Sequence, residues 1–221
     1  MSDRVLIVMD DPFELSTMGA ALKLLGINVV GEARKEATAI SLMRSMQPNV
    51  LLIDMHLSDE HSIAIATLIR KENPDIGIVM LVPCADLRLL GENNSLVPNG
   101  SKIVIKNSLN NVANLCEIIS DSRVFDASTP ATWVNGTVSL HEKALEGMMT
   151  QLTDTQIETL RLVADGLTNA EIGRMRFVSE KAVEQIVSRI AQVLNVQPDH
   201  GKNIRVQLVG EYLRWIGAPR H

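Results

Sequence analysis

The 221-residue sequence predicts an α/β flavodoxin-like (βα)5 domain followed by an all-α helix-turn-helix domain. Three observations carry that prediction. Over roughly the first 120 residues, short β-branched runs alternate with longer stretches of helical period, the signature of a parallel sheet wrapped by helices. Beyond a stretch punctuated by Pro and Gly, the strand pattern stops and helix-capping motifs recur. Hydrophobic residues make up 46% of the chain, and with charged residues at 21% and a mean hydropathy of +0.11 the composition suits packed cores rather than disorder.

The strand candidates are Arg4 to Met9, Asn28 to Gly31, Val50 to Asp54, Ile76 to Val82 and Lys102 to Lys106. Between them Phe13 to Leu25, Lys35 to Met46 and His61 to Lys71 read as amphipathic helices, and Leu109 to Ser120 closes the series. One crossover is weak: Asp86 to Gly91 starts a helix that Gly91, Asn93, Asn94 and Pro98 break early. Residues 122–149 read as a linker, marked by Ser128-Thr129-Pro130 and Asn135-Gly136, with a short helix near His141 to Met148. In 150–221, Thr153 to Gln156 and Thr168 to Glu171 are capping boxes, Gly166 stops the helix between them, and Ser179 caps a third helix. The expected domains are therefore 1–121 and 150–221 on either side of that linker.

Several function classes are disfavoured. The longest apolar runs, such as Ile76 to Val82, fall far short of the roughly 18 residues a membrane helix needs. The N-terminus enters an apolar run and then two acids without a small-residue cleavage pattern, so no secretory signal is expected and the cytoplasm is the expected location. Cys84 and Cys116 lack metal-binding spacing and read as reduced core residues. No Gly-rich loop follows the first strand, which disfavours a dinucleotide or P-loop enzyme. The five histidines are scattered, with no convergent acid–base pair, so an autonomous small-molecule enzyme is the weakest reading.

Ligands of a doubly wound sheet bind at the carboxyl ends of its strands. Asp10 and Asp11 end the first strand, Asp54 the third and Lys106 the fifth, so these four side chains converge on one rim. Clustered carboxylates repel one another, and a hard cation such as Mg²⁺ or a nearby ammonium relieves the repulsion. Any one of them alone would read as an acid capping a strand end in solvent; four at matching strand ends do not.

On these residues the chain resembles a known family. Residues 1–120 resemble a response-regulator receiver domain through Val8-Met9-Asp10-Asp11, Asn28 to Ala33 and Leu51-Leu52-Ile53-Asp54. Residues 150–216 resemble a LuxR-type four-helix DNA-binding domain through Leu152-Thr153, Leu160, Gly166 to Asn169, Glu171-Ile172 and Ser179 to Val183. Together they are similar to the NarL/FixJ family of bacterial two-component response regulators. The resemblance implies that Asp54 accepts a phosphoryl group from a sensor histidine kinase or phosphotransfer protein, that Asp10, Asp11 and Asp54 hold Mg²⁺, and that Lys106 neutralises phosphoryl oxygens.

The resemblance also implies an atypical receiver. The switch hydroxyl at the end of the fourth strand falls on Pro83, which has neither hydroxyl nor N–H, and the neighbouring Cys84 is a weak donor. The switch aromatic falls on Ile103, and the Pro usual four residues after the acceptor is Ser58. Acceptor chemistry is retained while the usual relay is weakened.

In the third C-terminal helix, Val183, Ile186, Val187, Ile190 and Leu194 form the core stripe. Lys181, Glu184, Gln185, Ser188 and Gln192 lie opposite, and the resemblance puts this face in the major groove of double-stranded DNA. Gln185 suits an adenine edge, Ser188 and Arg189 phosphate or bases, and the helix start at Thr168 and Asn169 a phosphate. Glu184 and Ile186 stand where the family often carries Lys or Arg and His, and a carboxylate facing phosphates weakens non-specific binding.

The leading function is a DNA-binding transcription regulator, dimeric because one module contacts only a half-site, with no membrane attachment. The alternative is a phosphorylation-independent regulator, or an adaptor or phosphate sink acting through protein contacts. The net charge of −5 does not exclude nucleic acid once divided: residues 1–149 carry 12 Lys and Arg against 18 Asp and Glu, and residues 150–221 carry 9 against 8.

Overall fold

A computed structural model describes residues 3–55, 57, 62–109, 111–134, 147–196, 201 and 203–216. The chain divides into two compact units, Met1–Pro83 with Asn93–Val138, and Cys84–Glu92 with Ser139–His221.

The first unit is a parallel sheet in the order β2-β1-β3-β4-β5-β6. Its strands are β1 (Arg4–Val8), β2 (Asn28–Ala33), β3 (Val50–Asp54), β4 (Gly77–Val82), β5 (Lys102–Ile105) and β6 (Thr132–Val134). Helices α1 (Pro12–Leu24), α2 (Glu36–Met46), α3 (Ser62–Glu72) and α4 (Val112–Asp121) are the crossovers. β1, β3 and β4 are almost wholly buried, as expected for parallel strands covered on both faces, and their side chains alternate between faces. Val5, Ile7, Val50, Leu52, Val79 and Leu81 pack one face with Leu22, Leu115 and Ile119 of the helices. The order reverses between β1 and β3, which places a binding crevice at their carboxyl ends.

The fourth crossover is not an α-helix. Leu87–Leu90 forms a 3-10 turn capped by Asp86, and Gly91 ends it at φ +80, a conformation that glycine adopts without strain. A second 3-10 turn, Asn94–Leu96, follows. The sheet also extends one strand beyond the sequence expectation. β6, within the stretch read as linker, pairs parallel with β5 through Thr132, Trp133 and Val134, and covers an edge that would otherwise expose unpaired amides. Most of the short helix expected near His141 to Met148 lies outside the described residues.

The second unit contains α5 (Asp154–Ala164), α6 (Asn169–Arg176), α7 (Glu180–Val193) and α8 (Ile204–Trp215). Thr153 and Gln156 form the reciprocal capping box read from sequence. Only half of the second box forms. Thr168 Oγ1 accepts the Glu171 N–H at 3.2 Å, whereas the Glu171 carboxylate pairs with Arg174. Leu152, Ile157, Leu160, Val163, Ile172, Val183, Val187, Ile190, Leu208 and Trp215 build the core, and Cys84 and Leu89 are buried in the same cluster.

Candidate functional site

The carboxyl edge of the first unit's sheet is ordered from the backbone outward. Asp54, the last residue of β3, is 3% exposed. The Ser62 hydroxyl, opening α3, donates to the Asp54 carbonyl at 2.7 Å, which fixes the main chain of Asp54 against that helix. Lys106 directly follows β5 and reaches back, so that its Nζ lies 2.7 Å from Asp54 Oδ2. Burial opposes the charge on Lys106, but the Asp54 and Glu14 carboxylates outweigh it and hold the ammonium above the ordinary lysine pKa. The strand-end juxtaposition of Asp54 and Lys106 expected from sequence is thus present as a direct ion pair.

Asp10 follows Met9 at the end of β1. Its backbone carbonyl accepts the Arg34 Nε–H at 2.8 Å, and its carboxylate lies 3.9 Å from the Arg34 guanidinium. Asp11 is the N-cap of α1: Oδ1 accepts the Glu14 N–H at 2.7 Å, satisfying an amide that the helix leaves unpaired. Among the described residues, no group of three or more His, Cys, Asp and Glu side chains is disposed to hold a metal ion. Mg²⁺ needs only one or two carboxylates and takes water and phosphate oxygens for the rest, so the all-oxygen donor set at these strand ends suits it chemically. His56, His61 and Ser58 fall outside the described residues.

Two participants escape the sequence reading. Arg34 is brought to Asp10 by the pairing of β2 with β1. Glu14 sits one helical turn beyond Asp11 and places Oε1 2.7 Å from the same Lys106 nitrogen that binds Asp54. The only signal for Glu14 in sequence is an acid three residues after a capping acid, which serves the helix dipole equally well.

The positions where the family pattern fails are also placed. Pro83 directly follows β4 and is half-buried; Ile103 lies inside β5 at 1% exposure. Cys84 does not stand in for the missing hydroxyl. Its thiol is buried in the second unit's core, 3.4 Å from the Asp86 carbonyl, and burial pushes its pKa up to about 11.

In the second unit α6 and α7 form a helix-turn-helix. Phe177 makes the turn at φ 56, and Ser179 caps α7 by accepting the Ala182 N–H at 3.2 Å. Gly173 permits the close turn, because a Cβ there would lie 2.8 Å from the Val178 carbonyl oxygen. Arg176 ties α6 to α5, donating to the Thr155 carbonyl at 3.0 Å and pairing with Glu158 at 3.2 Å. On α7, Val183, Val187, Ile190, Ala191 and Leu194 face the core, while Lys181, Glu184, Gln185, Ser188, Arg189 and Gln192 are exposed. That exposed face has the i, i+3, i+4, i+7 spacing of one helix side. Thr168 is occupied as the N-cap of α6, and Asn169 accepts from Arg205, which also reaches the Leu167 carbonyl. Asn169 therefore has a structural partner from α8.

Comparison with known proteins accords with both units. Residues 5–93 match the response regulator receiver domain, and residues 150–200 match the bacterial regulatory proteins of the luxR family. The response regulator protein VraR of Staphylococcus saprophyticus is 27% identical over 173 residues, covering 77% of this chain and 79% of its own. The DNA-binding transcriptional activator EvgA of Escherichia coli is 20% identical over 189 residues, covering 86% and 90%. RcsB of Salmonella enterica serovar Typhimurium, solved bound to a promoter in the presence of the phosphomimetic BeF3−, shares the fold with a TM-score of 0.57 at 19% identity, covering 96% of this chain and 98% of that one. With a receiver domain joined to a luxR-type DNA-binding domain, the chain is a response regulator of the NarL/LuxR type.

Proposed function

We propose that this response regulator is a cytoplasmic, homodimeric transcription regulator in which Asp54 is the phosphoacceptor and α7 reads the major groove of double-stranded DNA. The observation that carries the receiver half is the 2.7 Å pair between the buried Asp54 carboxylate and Lys106. A carboxylate oxygen of Asp54 forms the P–O bond as the P–N bond of a histidine kinase or phosphotransfer protein breaks. Lys106 donates hydrogen bonds to the transferred oxygens, which supplies the charge neutralisation that phosphoryl transfer demands. Asp10, Asp11 and Asp54 are the side chains that would hold Mg²⁺, which adds positive charge at the transferred group when bound.

The coupling from acceptor to output is weakened. Pro83 offers no donor to a phosphoryl oxygen, Cys84 is committed to the other unit's core, and Ile103 has no polar group to respond to a charge change. A ligand shifts an equilibrium only by its differential affinity for the two states, and these residues supply little differential.

At the DNA end, Lys181 serves phosphate, Gln185 reads an adenine edge, Ser188 and Arg189 reach phosphate or bases, and Glu184 suits a cytosine amino group. Thr168 and Asn169 bring the start of α6 to the backbone. Paired half-sites about one helical turn apart match a dimer. Selection of bound genomic fragments tests this reading. A palindromic motif is expected, and its absence at low salt would favour an adaptor or phosphate sink instead.

A further inference from the structure

Glu14 is the unassigned charge at the acceptor pocket. Three contacts join in series: Asp11 Oδ1 accepts the Glu14 N–H at 2.7 Å, Glu14 Oε1 accepts from Lys106 Nζ at 2.7 Å, and the same nitrogen donates to Asp54 Oδ2 at 2.7 Å. The cap at Asp11 fixes the first turn of α1, and that turn aims Glu14 at the ammonium. An ammonium has three N–H donors, and here carboxylates already take two.

We propose that Glu14 is a positioning residue that competes with the phosphoryl group for Lys106 and so lowers the pocket's affinity for an anion. The inference rests on Asp54 being the phosphoacceptor. Two acceptors on one ammonium lie about 4 to 5 Å apart, so the Glu14 carboxylate and an arriving anion repel each other at close range. Asp10, Asp11 and Asp54 already make the rim acidic, and among the described residues Lys106 pairs with Asp54 and Arg34 with Asp10. Glu14 keeps Lys106 extended toward the acceptor in the resting state, at the expense of the charge surplus that would trap the phosphorylated one.

The test uses the full chain with Mg²⁺ and titrates BeF3−, read by ¹⁹F NMR of the bound species, with thermal unfolding of each variant in parallel. Glu14→Gln keeps the shape and removes the charge; Glu14→Asp keeps the charge. Half-saturation is expected at about one tenth of the unsubstituted concentration for Glu14→Gln, and within about threefold of it for Glu14→Asp. A role confined to holding Lys106 in place would instead leave Glu14→Gln unchanged or weaker, and that result overturns the inference while leaving the acceptor assignment intact. If no chain takes up BeF3−, the acceptor assignment fails and this inference fails with it.

Discussion

Tyr212 donates its phenolic hydrogen to the carbonyl oxygen of Leu89 at 2.8 Å, across 123 residues of sequence. The bond belongs to a wider attachment. Arg88 donates to the carbonyls of Met149 at 3.0 Å and Leu152 at 3.2 Å, and pairs with Asp86 at 2.7 Å and Asp154 at 2.8 Å. Hydrogen bonding to Asp86 foremost, against the cost of burial, holds the Arg88 guanidinium firmly protonated. Cys84–Glu92 is thus a structural part of the helical unit, although in sequence it follows β4.

Truncating Leu89, which is fully buried in that core, to Ala is expected to cost about 2 to 5 kcal/mol of stability in the helical unit. Tyr212→Phe is expected to cost about 1 kcal/mol, because one buried carbonyl loses its donor. A fragment of residues 139–221 lacks Cys84 and Leu89 and is expected to unfold at lower denaturant than the same helices in the full chain. Urea unfolding followed by circular dichroism measures all three. Full-chain stability in the fragment would contradict the structural role of Cys84–Glu92.

Cys84 gives a pH signature. Its folded pKa of about 11 lies above the ordinary thiol value of 9.0, because burial disfavours the thiolate. A group whose folded pKa is raised stabilises the fold below its unfolded pKa and loses that contribution as pH rises through the folded value. Stability is therefore expected to fall between pH 9 and pH 11, by roughly 2 kcal/mol from this residue alone. Chemical denaturation across that range, with Cys84→Ala as the comparison, isolates the effect; identical slopes in the two chains would contradict it.

The exposed side of α7 predicts two distinguishable DNA phenotypes. Lys181→Ala should weaken binding uniformly across sequences and reduce the salt slope by about 1, as expected of one lost phosphate contact. Gln185→Ala should cost about 1 to 3 kcal/mol and relax preference at one base pair. Fluorescence anisotropy at several salt concentrations separates them. Binding unchanged in both variants would place the DNA face elsewhere.

The parallel sheet and the placement of Asp54 and Lys106 at strand ends are legible in the sequence because they are written locally. β3 matches its sequence reading residue for residue, since Val50 to Asp54 is an unbroken apolar run closed by an acid. What the sequence hid depends on partners distant in the chain. β6 has three residues between turn signals and becomes a strand by pairing with β5. Asn169 reads locally as a helix-start residue, and no local pattern signals that its side chain also accepts from Arg205 of α8. Leu89 lies on a 3-10 turn, whose spacing follows no α-helical stripe, and it is buried among residues far along the chain.

The proposed function joins intact acceptor chemistry at Asp54 to weakened coupling with DNA binding. The most direct test is the affinity of the full chain for its selected duplex, with and without saturating BeF3− and Mg²⁺, in the unsubstituted protein and in Asp54→Ala. Salt-dependent binding is expected in all four conditions, with a BeF3− effect below about tenfold, or 1.4 kcal/mol, that Asp54→Ala abolishes. A gain well above tenfold that Asp54→Ala abolishes would contradict it.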